Sequence, residues 1–194
     1  MGRHNIDALC LPGHKGLLGP QGVGVIILSD ALKAHLEGRQ TLIQGGSGMN
    51  SLDIDMPAVF PERYEAGTPA TPAISGLLAG VEYVNNVGLA TIREKENTVY
   101  RRVREILLDS PKVQLYMPEA TQGSVILFNI DGISAEVVAD RFAQKGIYLR
   151  GGWHCNPLAH RQLGTLETGG MRVGIGYANT LDCADRFGEV LLSL

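Results

Sequence analysis

Two short apolar runs around a glycine-rich turn constrain the fold of the first thirty residues. The runs at residues 7–11 and 22–28 predict two buried strands, and the second is apolar on both faces, as in a covered sheet. The turn between them contains Pro12, Gly13 and Gly16. Lys15 therefore follows the first strand in a turn whose glycines allow a ligand to approach the backbone closely.

The rest of the chain predicts an α/β protein that becomes α+β toward its C-terminus. Apolar spacings of three and four predict helices beginning near Pro72 and near Thr91, with Gly88 between them. A short helix is expected at residues 30–38 and irregular structure over most of residues 44–70. The remaining predicted elements are strands at 124–130, 147–150 and 171–177, and helices at 135–145, from Pro157, and from Thr180 or Asp182 to Leu194.

Composition and charge exclude several classes of protein. The 194 residues are 44% hydrophobic and 19% charged, which is typical of a folded globular chain. A net charge of -3 provides no basic field for nucleic acid or an anionic membrane, and no apolar run reaches transmembrane length. Cys10, Cys155 and Cys183 are too few and too scattered for a disulfide scaffold, so we expect a cytoplasmic protein.

Lys15 is the first candidate site residue. A P-loop is excluded because Gly16, instead of Ser or Thr, follows the lysine and because no helix is predicted after it. A partly desolvated lysine can lose its proton and form a Schiff base with an aldehyde, whereas most lysines in such turns are only solvated. The residues alone leave both interpretations open.

Cys155 is the second candidate, in the segment Arg-Gly-Gly-Trp-His-Cys-Asn at residues 150–156. It stands beside His154 and between prospective cations, which favour the nucleophilic thiolate. The alternative is a structural cysteine, since unpaired cysteines are often simply buried. A zinc site of His154, Cys155 and His160 is not favoured, because a second pair of Cys or His ligands is missing.

Arg172 is the third candidate, because it lies inside an otherwise apolar predicted strand. A guanidinium in such surroundings needs a partner, and its fork matches a carboxylate bidentately. The partner is either a carboxylate of the protein or that of a substrate.

Five motifs, taken in order, resemble the class V group of pyridoxal-phosphate (PLP) enzymes. They are the lysine segment Gly-His-Lys-Gly-Leu-Leu-Gly-Pro-Gln-Gly at residues 13–22, Gly-Gly-Ser-Gly at 45–48, Glu-Ala-Gly-Thr-Pro at 65–69, and the segments at 150–155 and 172–180. The last two resemble the C-terminal signature of Suf-type cysteine desulfurases and selenocysteine lyases.

The resemblance implies part of a fold type I PLP transferase. Residues 1–90 would be a remnant of the PLP-binding large domain, with the edge of its sheet. Residues 91–194 would be an α+β small domain carrying the Cys155 loop. In this family about half of the chain precedes the PLP lysine, so we expect a piece of a longer protein that is inactive by itself.

The resemblance also implies roles for six residues. Lys15 would carry PLP as a Schiff base, with His14 near the cofactor phosphate. Ser47, in place of the family's usual threonine, would contact the cofactor phosphate, typically that of the PLP bound to the partner subunit. Arg172, supported by Arg150, would bind the substrate carboxylate, and Cys155 would be the nucleophile; no metal is expected.

The implied activity is that of a cysteine desulfurase. Lys15 would move a proton, and the Cys155 thiolate would take sulfur from L-cysteine, which leaves alanine and a persulfide for a sulfur-acceptor protein. A homodimer is expected. One alternative is a class V aminotransferase or another PLP lyase acting on a different amino acid. Another is a non-catalytic chain that pairs with a separately encoded N-terminal half.

Overall fold

The computed structural model describes residues 2–49 and 51–194, and the chain divides into two compact units between Val87 and Gly88. This division falls close to the predicted boundary after residue 90. That the two parts are a large-domain remnant and a small domain of a larger enzyme stays a prediction.

The N-terminal unit is built from two strands and two helices. These are β1 (Ala8–Pro12), β2 (Gly24–Leu28), α1 (Asp30–Leu36) and α2 (Thr71–Val87), with short 3-10 helices at Gly2–His4 and Glu62–Tyr64. The Ser29 side chain caps α1 by accepting a hydrogen bond from the Leu32 N–H. Between α1 and α2 the described residues form loops, as predicted, apart from the short helix at Glu62–Tyr64.

Strands β1 and β2 form an antiparallel pair in which Ala8 lies opposite Leu28 and Pro12 opposite Gly24. The prediction of two buried strands is wrong for this chain, since Ile26 is 67% exposed. The reason is that the described sheet of this unit has only two strands and no described helix packs broadly across its faces, so the apolar side chains of β2 stay exposed.

The C-terminal unit contains the remaining eight elements. They are α3 (Leu89–Leu108), β3 (Val113–Leu115), β4 (Val125–Ile130), α4 (Ala135–Gln144), β5 (Arg150–Gly152), α5 (Pro157–Gln162), β6 (Gly170–Gly174) and α6 (Leu181–Leu192). The four strands form one sheet in the order β3-β4-β6-β5, and every neighbouring pair is antiparallel.

One face of this sheet packs against α3, α4 and α6. Phe128 of β4 and Phe142 of α4 are fully buried there, and both rings contact Phe187 of α6, with centroid distances of 6.1 and 5.1 Å. Met171 of β6 is fully buried in the same cluster. Because side chains alternate along a strand, Arg172 points to the opposite, open face.

Several predicted boundaries in this unit are confirmed, and two are wrong: the strand predicted at 171–177 ends at Gly174, and the start of the strand predicted at 147–150 also differs. Ser134 caps α4 and Thr180, not Asp182, caps α6, each by accepting a backbone N–H. The strand predicted at residues 147–150 begins only at Arg150, because the Ile147 N–H bonds to the Phe142 carbonyl and closes the end of α4. The short strand β3 was not predicted.

In the part of the chain that the structure describes, no helix is both long and apolar enough to cross a membrane.

Candidate active site

Lys15 lies in the turn that connects β1 and β2. The Leu18 N–H donates to the Lys15 carbonyl at 2.9 Å, and the Gly19 N–H donates to the Gly13 carbonyl at 2.8 Å. These bonds close residues 13–19 into a compact loop, which we call the lysine turn. The Lys15 side chain is exposed, and no described residue forms a hydrogen bond or ion pair with its amine. The amine is therefore accessible to a ligand.

Helix α2 holds the lysine turn in place through very close contacts. A Cβ on Gly80 of α2 would meet the backbone of Leu17, Leu18 and Gly19. Likewise, a Cβ on Gly19 would come within 2.9 Å of the Leu77 side chain. Gly19 of the motif and Gly80 of α2 are thus required because the lysine turn and the helix pack too closely at this position to admit a side chain.

His14 and Ser47 belong to the same unit as Lys15. His14 is exposed in the lysine turn. Ser47 is partly buried in the glycine-rich loop, where its hydroxyl accepts from the Met49 N–H at 3.4 Å. That loop is tied to the segment before α2 by a hydrogen bond from the Gly67 N–H to the Gly46 carbonyl. The predicted phosphate contacts of His14 and Ser47 stay predictions.

Cys155 lies on a strained turn in the C-terminal unit. The Asn156 N–H donates to the Trp153 carbonyl at 2.9 Å, and the two residues between them, His154 and Cys155, have φ values of 54° and 57°. A turn with two consecutive residues in the left-handed region favours the sequence Asn-Gly. Each residue with a Cβ in this region costs about 1–3 kcal/mol of conformational free energy. The Cys155 thiol is exposed, which presents its sulfur to solvent.

Arg150 and Arg172 lie side by side next to this turn. They are direct partners across the β5–β6 pair, so both side chains lie on the open face of the sheet. Arg150 Nη2 donates to Cys155 Sγ at 3.5 Å. Within the described residues, no carboxylate lies within ion-pair distance of either guanidinium. Two unbalanced positive charges therefore face the same space as the thiol.

His154 does not contact the thiol. Its Nε2 lies 2.9 Å from the Arg150 carbonyl oxygen, and its Nδ1 lies 3.2 Å from Nε2 of His160. Burial lowers the pKa of His154, as do the charges of Arg172, His160 and Arg150, against an opposing hydrogen bond to the Arg150 backbone. The prospective cation that does lie against the Cys155 sulfur is therefore Arg150.

His160 and Thr165 are parts of this region that the sequence analysis missed. His160 is 2% exposed and Thr165 is 1% exposed, and His160 Nδ1 lies 2.8 Å from the Thr165 hydroxyl. The sequence suggested His160 only as a zinc ligand. Among the described residues, no group of three or more His, Cys, Asp or Glu side chains is arranged to hold a metal ion.

A second exposed thiol lies on the C-terminal unit at the start of α6. The Thr180 hydroxyl donates to Cys183 Sγ at 3.4 Å. This bond is the main cause that lowers the pKa of Cys183. Cys183 therefore provides an internal reference for the reactivity of Cys155.

Comparison with known proteins identifies the family. The family model described as aminotransferase class-V matches residues 1–187. The chain belongs to the class V aminotransferase family.

Several class V relatives are cysteine desulfurases by name. A probable cysteine desulfurase of Methanothermobacter thermautotrophicus is 30% identical over 95% of this chain and 46% of its own length. The apo structure of a cysteine desulfurase from Thermococcus onnurineus is 29% identical with a TM-score of 0.83, over 99% of this chain and 48% of that chain. The cysteine desulfurase CsdA from Escherichia coli, 23% identical, supports the fold alone, with a TM-score of 0.85 over 99% of this chain and 47% of that chain.

These comparisons confirm the predicted fold class, an α/β chain that forms part of a fold type I PLP transferase. This class V chain spans about half the length of the curated relatives that it matches.

Proposed function

We propose that this chain carries the cofactor lysine and the sulfur-accepting cysteine of a PLP-dependent cysteine desulfurase. The observation that supports this most strongly is the arrangement around Cys155. Its exposed sulfur accepts from Arg150, and the neighbouring Arg172 has no carboxylate partner among the described residues. A thiol beside two unbalanced guanidinium groups suits a small substrate that has both a carboxylate and a sulfur atom.

The residues of the lysine turn fit PLP as the cofactor. Lys15 has an exposed amine without a partner among the described residues, and the space beside Gly16 is open. When bound, PLP supplies an electron sink for the amino-acid substrate. Lys15 would hold the cofactor through its side-chain amine, and the same amine would move the proton at the substrate α-carbon. His14 would lie near the cofactor phosphate with its ring nitrogens as hydrogen-bonding groups, and the Ser47 hydroxyl would contact the phosphate of the PLP bound to the partner subunit.

Arg172 and Arg150 provide substrate binding in this proposal. The Arg172 guanidinium would donate two parallel hydrogen bonds to the substrate carboxylate, with Arg150 beside it. A carboxylate between them also removes the repulsion of two like charges directly opposite one another in the sheet. L-cysteine, or a related amino acid that carries sulfur or a similar atom on its β-carbon, meets these requirements.

Cys155 carries out the sulfur transfer. Its thiolate attacks the sulfur of L-cysteine, so that an S–S bond forms while the Cβ–S bond breaks and the electron pair stays with the β-carbon. Protonation of that carbon gives alanine. The product on the chain is a persulfide on Cys155. We propose that its outer sulfur is transferred to a sulfur-acceptor protein, because Cys155 is exposed on the turn and accessible to such a partner.

We further propose that the protein works as a homodimer in the cytoplasm, where its three unpaired cysteines remain reduced.

A second candidate function is supported by apolar side chains exposed on the surface of the N-terminal unit. Leu42, Leu52 and Ile54 are almost completely exposed. Apolar side chains exposed in this way favour a chain that pairs with an N-terminal half.

Product analysis distinguishes these possibilities. We mix the chain with PLP, L-cysteine and the N-terminal half of the Methanothermobacter relative, and we call this mixture the paired assay. A desulfurase is expected to form alanine with one equivalent of sulfur on the chain, measured by amino-acid analysis and intact mass. The chain without the added half is expected to form neither. Formation of a 2-oxo acid without alanine would contradict the proposal: a 2-oxo acid that keeps its sulfur would indicate an aminotransferase, and one that has lost it as sulfide would indicate a lyase.

A further inference from the structure

A line of hydrogen bonds runs from a buried threonine to the Cys155 turn. The Thr165 hydroxyl lies 2.8 Å from Nδ1 of His160, and Nε2 of His160 lies 3.2 Å from Nδ1 of His154. The line ends at the Arg150 carbonyl, 2.9 Å from Nε2 of His154. We call Thr165, His160 and His154 the histidine relay. Because its first two members are almost completely buried, water does not compete for the bond between them.

One set of proton positions satisfies the three contacts along this line with both rings neutral, and it directs the single Thr165 hydroxyl proton to His160 Nδ1 at 2.8 Å instead of to the His160 carbonyl at 3.4 Å. The Arg150 carbonyl can only accept, so Nε2 of His154 carries a proton and Nδ1 of His154 is an acceptor. Nε2 of His160 must then donate to it, which leaves Nδ1 of His160 to accept from the Thr165 hydroxyl. The lowered pKa of His154 agrees with this neutral arrangement.

The relay acts on the residues that present the thiol. His154 occupies the first of the two left-handed positions of the turn, and Cys155 occupies the second. Residues with a Cβ persist in this conformation only when their surroundings hold them there. The hydrogen bond from His154 to the Arg150 carbonyl fixes the backbone of the same arginine whose guanidinium donates to the Cys155 sulfur at 3.5 Å.

We propose that His160 and Thr165 are positioning residues for Cys155. They set the tautomer and orientation of His154, and His154 in turn holds the strained turn and keeps the sulfur within reach of Arg150. The inference rests on the proposed function only in treating Cys155 as the sulfur acceptor. The positioning itself is a property of the chain without cofactor or substrate.

Two substitutions of His160 separate positioning from simple filling of a buried space. In His160→Gln, the amide nitrogen keeps a donor near the former Nε2 and can still bond to His154. In His160→Asn, the amide oxygen keeps an acceptor near the former Nδ1, but the donor toward His154 is lost. Both variants replace the ring with an amide, so a purely structural role predicts similar effects.

The measurement is the rate at which iodoacetamide alkylates Cys155 in the folded 194-residue chain, determined by peptide mass spectrometry relative to Cys183. In His160→Asn we expect this ratio to fall roughly threefold or more, because the turn that presents the sulfur beside Arg150 is no longer held in its left-handed conformation. In His160→Gln we expect it to stay within about twofold of the unaltered chain, since the donor is retained.

An unchanged ratio in His160→Asn, or equal ratios in the two variants, would overturn the proposal. If His160→Asn does not fold, as judged by circular dichroism, the same alkylation assay is carried out with Thr165→Val and Thr165→Ser instead of the two His160 variants. The valine variant is expected to lower the ratio and the serine variant to preserve it, because only serine keeps the hydroxyl. The assay contains neither PLP nor L-cysteine, so its outcome is independent of whether the paired assay supports a desulfurase.

Discussion

Replacing Cys155 by serine is expected to abolish persulfide formation in the paired assay. A serine hydroxyl stays protonated at neutral pH and is a far weaker nucleophile toward sulfur than a thiolate. The Cys155 side chain is exposed, so the substitution removes the nucleophile without opening a cavity in the core. Intact-mass measurement after incubation with L-cysteine should show no added sulfur atom on the variant, and sulfide release upon reduction should be lost.

The matched control is Cys183→Ser, which removes another exposed thiol of the same unit and should keep persulfide formation. Cys155→Ser should also keep its reaction with PLP, because Lys15 is unchanged. Sulfide release that continues unaltered in Cys155→Ser would instead indicate a lyase or aminotransferase that needs no thiol nucleophile.

Replacing Gly80 by alanine is expected to destabilise the lysine turn, although alanine is the better helix former. Helix propensity alone predicts stabilisation of α2 by about 1 kcal/mol. The added Cβ, however, would meet the backbone of Leu17 and Leu18, which cannot rotate away as a flexible side chain could. Overpacking costs about 1–3 kcal/mol. Because the clash here is with backbone, we expect the upper end of that range, which leaves a net loss of about 2 kcal/mol after the gain of about 1 kcal/mol from helix propensity.

Hydrogen exchange measures this effect locally. The amides of Gly13 and Gly19, which donate to Val23 and Gly13 carbonyls, should exchange faster in Gly80→Ala. Gly16→Ala is the control, since no atom beyond its two chain neighbours lies within 4 Å of a Cβ at that position, and it should leave exchange unchanged. Trp153 is the single tryptophan, so unchanged fluorescence would show that the C-terminal unit stays intact. Slower exchange in Gly80→Ala would mean that the higher helix propensity of alanine outweighs the clash of its Cβ with the lysine turn, which would contradict the expected destabilisation.

Sequence patterns predicted the features that depend on local chemistry. The helix caps at Ser134 and Thr180 follow from side chains that accept backbone N–H groups, and their positions are confirmed. The motif order led to the class V family, which the family model confirms. The lysine turn was predicted from its glycines, but its reason, the approach of α2 at Gly80, required tertiary packing.

Features that depend on tertiary contacts could not be predicted. The burial of β1 and β2 was overestimated because apolar residues indicate a tendency to be covered but do not show what covers them. The histidine relay joins residues whose spacing of six and five positions follows neither a helix nor a strand period. Its donors and acceptors meet only because α5 and the residues after it fold back onto the Cys155 turn.

The most direct test of the central claim is to identify the lysine that binds PLP. The chain is incubated with PLP, reduced with borohydride and digested, and the labelled peptides are mapped by mass spectrometry. We expect a reduced pyridoxyl group on Lys15 that is not matched at the exposed Lys33 or Lys145, and its loss in Lys15→Ala. Equal labelling of all lysines, or selective labelling at a lysine other than Lys15, would contradict the proposed role of Lys15 in this chain.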